Sequence, residues 1–369
     1  MKLDKLSLGT WIASFWTASG RSSDWRDTSA RCTESISNGK RYFKWRDGDV
    51  TKLAEAIGNR LVGVFDKMGA HTPRQDVILA AEEVRHLEAD LIVTFGGGSV
   101  TDGAKAVEEC LGNGSHKPED MNIFRPRFDE NGTPFAPSFA APNIRQVSVP
   151  TTLSAGEFSD KAGVNDERTK IKEIFTHPEI LSQSVVLDPA PTLHTPEWLF
   201  LSTGARAVDH CVEGICSNES NVYGDAMALH GVSSLSEGLL RVKSEPSNLS
   251  ASLDCQMGAW LSMGPLAHGV QMGASHGIGY VLGAGFGIPH RHTSCVMLPA
   301  VMRWNNSFNA DRQSRVAVAI GEISGAVSDT AADLLDALII QLRMPRCLGA
   351  VKAGSEHFGS ISAQALNTP

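Results

Sequence analysis

The sequence of 369 residues predicts an α/β domain built on a parallel sheet, followed by an all-helical domain. Residues 61–111 alternate short strand patterns with helical patterns over short links, an order typical of parallel α/β sheets. Three consecutive glycines join the central strand of this region to a helix. After Pro191, long helical patterns rich in Ala, Leu, Met and Gly replace the strands. We therefore predict two domains, over residues 1–190 and 191–369.

The first elements of the chain differ in how clearly their patterns show. Residues 1–55 contain scattered tryptophans and polar residues without a clear period, and we predict no strand before residue 61. Residues 61–66 then predict a strand. The next helix opens at Thr72-Pro73, where we expect Pro73 at the first helical position and Thr72 as the cap.

A glycine-rich turn follows the central strand. Residues 91–96 predict a buried strand, and a helix is expected over about residues 100–111. The turn between them consists of Gly96, Gly97, Gly98 and Ser99. Glycine lets the backbone approach a ligand closely, and the free N–H groups and positive dipole end of the helix attract an anion. We predict a nucleotide diphosphate at this turn; the alternative is a plain strand-to-helix turn without a ligand.

Two hydroxyl side chains follow a later strand of the same sheet. Residues 145–149 predict a strand that ends just before Thr151 and Thr152, and a further strand is predicted over residues 184–187. Ligands of α/β sheets bind at the carboxyl ends of the strands. The two threonines are therefore candidate ligand contacts, with an ordinary Ser/Thr turn as the alternative.

The second domain carries the candidate catalytic side chains. Its helical patterns cover residues 196–217, 222–243, 248–270, 272–284, 293–304 and 328–342. His210, His276 and His290 lie within these patterns or at their ends, and Arg206 precedes His210 by one helical turn on the same face. Imidazole is used both structurally and in catalysis. Three histidines after a nucleotide-type domain favour the catalytic interpretation.

The composition limits the classes of function. A formal net charge of −8 argues against a general nucleic-acid role, and no apolar stretch reaches the length of a membrane span. We find no signal peptide, and the seven cysteines form no CxxC pair. We therefore expect a cytoplasmic protein with reduced thiols that acts on a small molecule.

These residues together resemble the iron-containing (group III) alcohol dehydrogenases, and within them the maleylacetate reductase branch. The resemblance runs from about residue 61 to residue 350. The matching residues are Gly96, Gly97, Gly98, Ser99, Asp102, Ala104, Lys105, Pro150, Thr151, Thr152, Glu157, Asp188, Pro189, Gly204, His210, Glu213, Gly273, His276, Gly283, Pro289, His290, Leu298, Pro299 and Asn305.

The resemblance implies a Rossmann-like dinucleotide-binding domain, a helical domain, an active site in the cleft between them, and a homodimer. NAD or NADP is the implied cofactor, and hydride transfer to or from a carbonyl, alcohol or activated double bond is the implied reaction. The implied cofactor contacts are Gly96, Gly97, Gly98, Ser99, Asp102, Thr151 and Thr152.

Two departures from the family pattern concern the metal. The family places an Asp where this chain has Arg206, and that Asp holds a divalent metal together with the histidines that match His210, His276 and His290. Many members also have a histidine where this chain has Tyr280. The strand–turn–helix unit with which the family opens is not evident in residues 1–55.

We therefore expect an NAD(P)H-dependent reductase of a small carboxylated oxo or ene substrate that works without a metal. Arg206 would meet the negative charge that hydride transfer creates, and the histidines would donate protons. The expected catalytic residues are Arg206, His210, His276, His290 and Tyr280.

Three alternatives remain open at this stage. The first is a metal-dependent alcohol dehydrogenase in which His210, His276 and His290 ligate the ion and Asp209 or Glu213 replaces the missing carboxylate. It is disfavoured because Asp209 is expected to point away from the site. The second is a cofactor-binding pseudoenzyme. The third concerns Arg206 alone, which would pair with Asp209 or Glu213 and never meet the substrate.

Overall fold

The computed structural model describes residues 10–13, 33–37, 40–44, 54–128, 130, 134–135, 137–169, 171–324 and 330–366. The chain separates into two compact units. One combines the residues up to Thr151 with Gly156–His194, and the other combines Thr152–Ala155 with the residues from Thr195 onwards.

All strands among the described residues lie in the first unit. In chain order they are β1 Thr10–Ala13, β2 Thr33–Ser37, β3 Lys40–Lys44, β4 Leu61–Val64, β5 Leu91–Gly96, β6 Arg127–Phe128, β7 Pro134–Phe135, β8 Arg145–Pro150, β9 Lys161–Asp166, β10 Ile171–Thr176 and β11 Ser184–Val185. Five of them form a parallel sheet in the order β11-β8-β5-β1-β4. The predicted parallel α/β sheet is confirmed.

Helices lie on both sides of the unit boundary. Those of the first unit are α1 Arg74–His86 and α2 Gly98–Gly112. The second unit contains α3 Glu197–Cys216, α4 Val222–Ser244, α5 Leu249–Ser262, the short α6 Gly264–Ala267, α7 Ala274–Phe286, α8 His290–Ser324, α9 Ala331–Gln341 and α10 Phe358–Ala365. The predicted helical C-terminal region is confirmed. Within the described residues, no helix is both long enough and apolar enough to cross a membrane.

The prediction that no strand precedes residue 61 is wrong. Strand β1 lies between β5 and β4 in the sheet, and Ile12 is opposite Val93 on one side and Val64 on the other. Strands β2 and β3 form an antiparallel hairpin. A four-residue strand is too short to show an alternating pattern. Its place is decided by hydrogen bonding to strands that follow it by some fifty and eighty residues in the chain.

The predicted cap of α1 is also wrong. The helix begins at Arg74, and Pro73 rather than Thr72 is its N-cap residue. Thr72 has φ +56° and donates its hydroxyl hydrogen to the carbonyl of Ser99 at 3.1 Å. A tertiary hydrogen bond therefore takes the side chain that local preference assigned to the helix terminus.

A hairpin of β9 and β10 was not predicted, because its strands carry many charged residues. Asp166 and Glu173 of this hairpin face the guanidinium of Arg74, which is 1% exposed. Arg74 pairs with Glu173 and lies 3.8 Å from Asp166. The charges are buried as ion pairs, so the period-2 apolar pattern of a half-buried strand is lost.

Both faces of the central strand are buried, and this positions the glycine turn. Leu91, Val93 and Phe95 of β5 pack into a core with Val149, whereas Ile92 packs on the other face against residues of α1 and α2. A strand covered on both faces appears in sequence as a continuous apolar run. Strand β5 is therefore rigidly held up to the point where the turn begins.

The buried carboxyl of Glu109 on α2 leads to a prediction about stability. Its two oxygens have no hydrogen-bond partner among the described residues, and burial raises the pKa of Glu109 to about 8. The folded chain therefore holds a proton that the unfolded chain releases above its ordinary pKa of 4.5, and the free energy of unfolding falls between pH 4.5 and pH 8. We expect the free energy of unfolding of Glu109→Gln to equal that of the wild type near pH 4.5. At pH 8.5 we expect it to be larger than the wild-type value by about 3–5 kcal/mol.

Urea unfolding at several pH values measures this difference. Glu179→Gln is the matched control, because Glu179 is exposed. If the difference in free energy of unfolding between Glu109→Gln and the wild type does not change with pH, the assignment of Glu109 as a buried neutral acid is contradicted.

Candidate active site

The predicted cofactor residues of the first unit lie at one edge of the sheet. Gly96 is opposite Pro150 in the β5–β8 ladder, and the carbonyl of Gly96 accepts a hydrogen bond from the Thr151 N–H at 2.9 Å. Gly97 is the N-cap residue of α2 and has φ −91°. The glycine turn, the start of α2 and Thr151 therefore lie side by side at the carboxyl ends of two parallel strands, where such sheets bind ligands.

Ser99 and Asp102 are engaged in contacts within the first unit. The hydroxyl of Ser99 accepts a hydrogen bond from the His71 N–H at 3.0 Å, and the carboxylate of Asp102 accepts one from the Gly163 N–H at 3.1 Å. Burial raises the pKa of Asp102. The structure thus shows Asp102 fastening β9 to α2, and its contact with the cofactor stays a prediction.

Lys105 has a structural role that its sequence context does not reveal. Its ammonium group is fully buried and donates to the carbonyls of Gly156, Ser159 and Lys161. The chain that follows Gly156 is thereby attached to α2. A lone buried lysine is rarely predicted from sequence, because its partners are backbone oxygens that carry no sequence pattern.

Four polar side chains share one face of α3 in the second unit. Arg206, Asp209, His210 and Glu213 follow one another at spacings of three, one and three residues, which places them along a single stripe. The ring of His210 stacks on that of His276 from α7, with 4.9 Å between centroids and 28° between planes. The structure therefore brings together two of the predicted histidines, His210 and His276, next to the helix face that carries Arg206.

Glu213 and Asp209 both face the start of α7. The carboxylate of Glu213 accepts hydrogen bonds from the N–H groups of Gly273 at 2.9 Å, Ser275 at 2.7 Å and His276 at 3.3 Å, and lies 2.7 Å from Nδ1 of His276. Asp209 accepts a hydrogen bond from the Ser275 hydroxyl at 2.9 Å and lies 3.5 Å from the same Nδ1. The expectation that Asp209 points away from the site is wrong. The turn preceding α7 brings Ser275 and His276 against the stripe.

Arg206 is half-buried and contacts α8. Its Nη1 donates to the hydroxyl of Ser294 at 3.1 Å. Within the part of the chain that the structure describes, no ion pair joins Arg206 to Asp209 or Glu213, so the pairing alternative is not observed. Burial raises the pKa of both carboxyl groups, and the charge of Arg206, acting at longer range, opposes part of that rise.

The lowered pKa values of the two stacked histidines, His210 and His276, keep both rings neutral at pH 7. Burial and the positive charge of Arg206 lower the pKa of His276 to about 3. Burial, together with His276 and Arg206, holds the pKa of His210 well below its ordinary value. Burial raises the pKa of Asp209 to about 6. The site thus contains one permanent cation, two neutral imidazoles and two carboxyl groups.

The remaining predicted residues have more limited descriptions. His290 is the first residue of α8, and its side chain lies outside the described part of the structure. Tyr280 lies one turn after His276 on α7 and is 40% exposed. Thr152 has a buried hydroxyl oxygen without a partner among the described residues. The catalytic or binding roles of all three stay predictions.

Ser275 and Ser294 were not predicted as parts of the site, and Glu213 was considered only as an alternative metal ligand or as a partner of Arg206. The spacing of Glu213 from Arg206, seven residues on one helix, was sufficient to place it on the same face. No comparable pattern identifies the two serines, because they come from α7 and α8 and meet α3 only in the folded chain.

The described residues offer an incomplete version of the family's divalent metal site. Asp209, Glu213 and His276 do place three potential ligand atoms within 4.8 Å of one another. However, both Glu213 oxygens already accept hydrogen bonds, and Nδ1 of His276 is occupied by one of them. Asp209 Oδ1, His210 Nδ1 and His276 Nε2 are buried and unpartnered among the described residues. The guanidinium of Arg206 on the same helix face cannot ligate a cation and repels one.

Family comparisons cover most of the chain. A model described as iron-containing alcohol dehydrogenase matches residues 40–189, and one described as Fe-containing alcohol dehydrogenase family, C-terminal, matches residues 200–368. The chain is 32% identical over 348 residues to Dehydrogenase ALT3 of Alternaria alternata. This match covers 85% of this chain and 88% of that protein.

Maleylacetate reductases are similar in both sequence and structure. The chain is 27% identical over 323 residues to the maleylacetate reductase of Rhizobium sp. strain MTP-10005, covering 87% of this chain and 80% of that protein. The crystal structure of that reductase superposes with a TM-score of 0.72 at 26% identity, covering 88% of this chain and 81% of the other. The similarity spans both the sheet-containing and the helical units.

Proposed function

This chain belongs to the iron-containing alcohol dehydrogenase family and is an oxidoreductase of its maleylacetate reductase-like branch, and from this premise we propose a metal-independent reductase. The enzyme transfers hydride from NADH or NADPH to a small oxo or ene substrate that carries a carboxylate. The nicotinamide supplies the hydride, and the protein supplies placement and charge.

Arg206 is the observation that carries the proposal. The sequence resemblance puts it at the position of the family's metal-binding Asp. It is half-buried, and its only described hydrogen bond goes to the neutral hydroxyl of Ser294. A guanidinium binds a carboxylate through two parallel hydrogen bonds or stabilises an oxyanion as it forms. Either use replaces the positive charge of the ion.

The cofactor is assigned to the glycine turn of the first unit and the residues near it. Gly96, Gly97, Gly98 and Ser99 hold the pyrophosphate at the start of α2, with Thr151, Thr152 and Asp102 as further contacts. The support is the adjacency of the glycine turn and Thr151 at the sheet edge. In the second unit, His210, His276, His290 and Tyr280 complete the substrate site around Arg206.

Oxidation of NADH and NADPH, followed by absorbance with a panel of carboxylated oxo and ene acids and their uncharged analogues, tests the proposal. We expect turnover with at least one carboxylated compound and at least tenfold lower kcat/KM for its uncharged analogue, which loses the charged hydrogen bonds to Arg206. Nucleotide binding without turnover of any compound would favour the pseudoenzyme instead.

The cluster of Asp209, Glu213 and His276 favours one alternative, a metal-dependent alcohol dehydrogenase. That enzyme would contain one iron or zinc per chain after purification and would oxidise simple alcohols with NAD+ or NADP+. Elemental analysis and alcohol oxidation assays with added Fe2+ or Zn2+ separate the two proposals.

A further inference from the structure

Glu213 caps the start of α7 and binds His276 at the same time. Its carboxylate accepts hydrogen bonds from three backbone N–H groups, those of Gly273, Ser275 and His276. The first turn of a helix leaves such N–H groups without partners inside the helix. A carboxylate is favoured at this position because the N-terminal end of the helix dipole is positive. Its fourth contact, 2.7 Å long, is to Nδ1 of the His276 ring.

These contacts define the tautomer of His276. A carboxylate that already accepts three N–H groups can only accept at its fourth contact, so the ring nitrogen there must donate. His276 therefore carries its proton on Nδ1 and a lone pair on Nε2. Asp209 supports the same arrangement, since its Oδ2 lies 3.5 Å from that Nδ1.

The other ring nitrogen of His276 is left available. Nε2 is buried and has no hydrogen-bond partner among the described residues, and leaving a buried acceptor unpaired is unfavourable. The ring is held immobile by Glu213 on one edge and by the stacked ring of His210 on one face. A rigid and unsatisfied acceptor close to Arg206 is suited to a ligand that brings a donor.

We propose that Glu213 is a positioning residue that keeps His276 protonated on Nδ1, so that Nε2 accepts a hydrogen bond from a hydroxyl group of the bound substrate or product. This inference rests on the proposed function, because that function places the substrate beside Arg206. It differs from the expectation that His276 donates a proton. In this tautomer the ring accepts at Nε2, and the proton that completes the reduction comes from solvent water.

Nuclear magnetic resonance of the full-length chain with 15N-labelled histidine tests the tautomer without any substrate. Long-range 1H–15N correlations distinguish the two neutral tautomers, and His276→Gln identifies the signals of His276. We expect the Nδ1-protonated form from pH 6 to pH 8. An Nε2-protonated ring or an imidazolium overturns the proposal.

A second test measures the steady-state kinetics of the Glu213→Gln variant. The glutamine amide turns an N–H2 group towards backbone N–H donors, so the hold on the ring is lost. We expect kcat to fall about 10- to 100-fold while KM for NADH changes less than twofold, as happens when a carboxylate that orients an imidazole is removed. A kcat within twofold of the wild type overturns the proposal.

Asp225→Asn is the matched control for lost stability. Asp225 is a buried carboxylate of the same unit that pairs with Arg315 at 2.6 Å and makes no contact with the candidate site. We expect it to lower the melting temperature while leaving kcat unchanged. If Glu213→Gln does not fold, the wild-type tautomer still decides the question. If the wild type reduces no carboxylated compound, the proposed function fails while the tautomer is decided independently.

Discussion

Purified wild-type protein is expected to contain no stoichiometric iron or zinc, and its reductase activity is expected to survive a chelator. The guanidinium of Arg206 does not deprotonate and cannot ligate a cation. At ~4–6 Å and an effective dielectric near 20, it would repel a divalent ion by about 6–8 kcal/mol. Elemental analysis of the purified chain, with assays before and after dialysis against a chelator, measures both expectations.

Arg206→Ala is expected to lower kcat/KM about 10²- to 10³-fold, because it removes the charge that meets the developing anion. Arg206→Lys retains the charge without the planar fork and should recover only part of this loss. Arg303→Ala, at a half-exposed guanidinium of α8, is the control. If elemental analysis finds one metal ion per chain, the metal-dependent dehydrogenase replaces the proposed function. If Arg206→Asp retains reductase activity, the role of Arg206 is structural.

Gly97→Val is expected to weaken NADH and NADPH binding at least tenfold while the fold survives. Gly97 has φ −91° and is extended, so a branched residue fits its backbone without strain. The loss would therefore come from the side chain standing where the backbone must approach the pyrophosphate. Fluorescence titration of the reduced cofactor measures the affinity.

Gly359→Val is the matched control for this substitution. A Cβ atom added at Gly359 meets no other atom within 4 Å, and the residue lies on α10 in the second unit. The Gly359→Val protein should bind the cofactor with the same affinity as the wild type. If Gly97→Val also binds normally, the glycine turn serves only to connect β5 to α2.

The sequence was sufficient for features that depend on local spacing. The apolar run of β5 and the glycines after it predicted a buried strand and a helix start, and the structure has α2 begin at Gly98. One helical turn between Arg206 and His210 predicted their shared face. These features follow from periods of two and 3.6 residues, which a chain carries in its order of residues.

Only the tertiary structure decided the contacts between distant segments. Strand β1 is too short to show a period and is defined by its two neighbours in the sheet. Buried Arg74 and Lys105 satisfy partners that sequence patterns do not mark. Glu213 binds the Ser275 and His276 N–H groups more than sixty residues along the chain, and this contact determines which nitrogen of His276 is free. Such pairings depend on how two helices pack, because hydrogen bonds between them require distances and directions that no local spacing specifies.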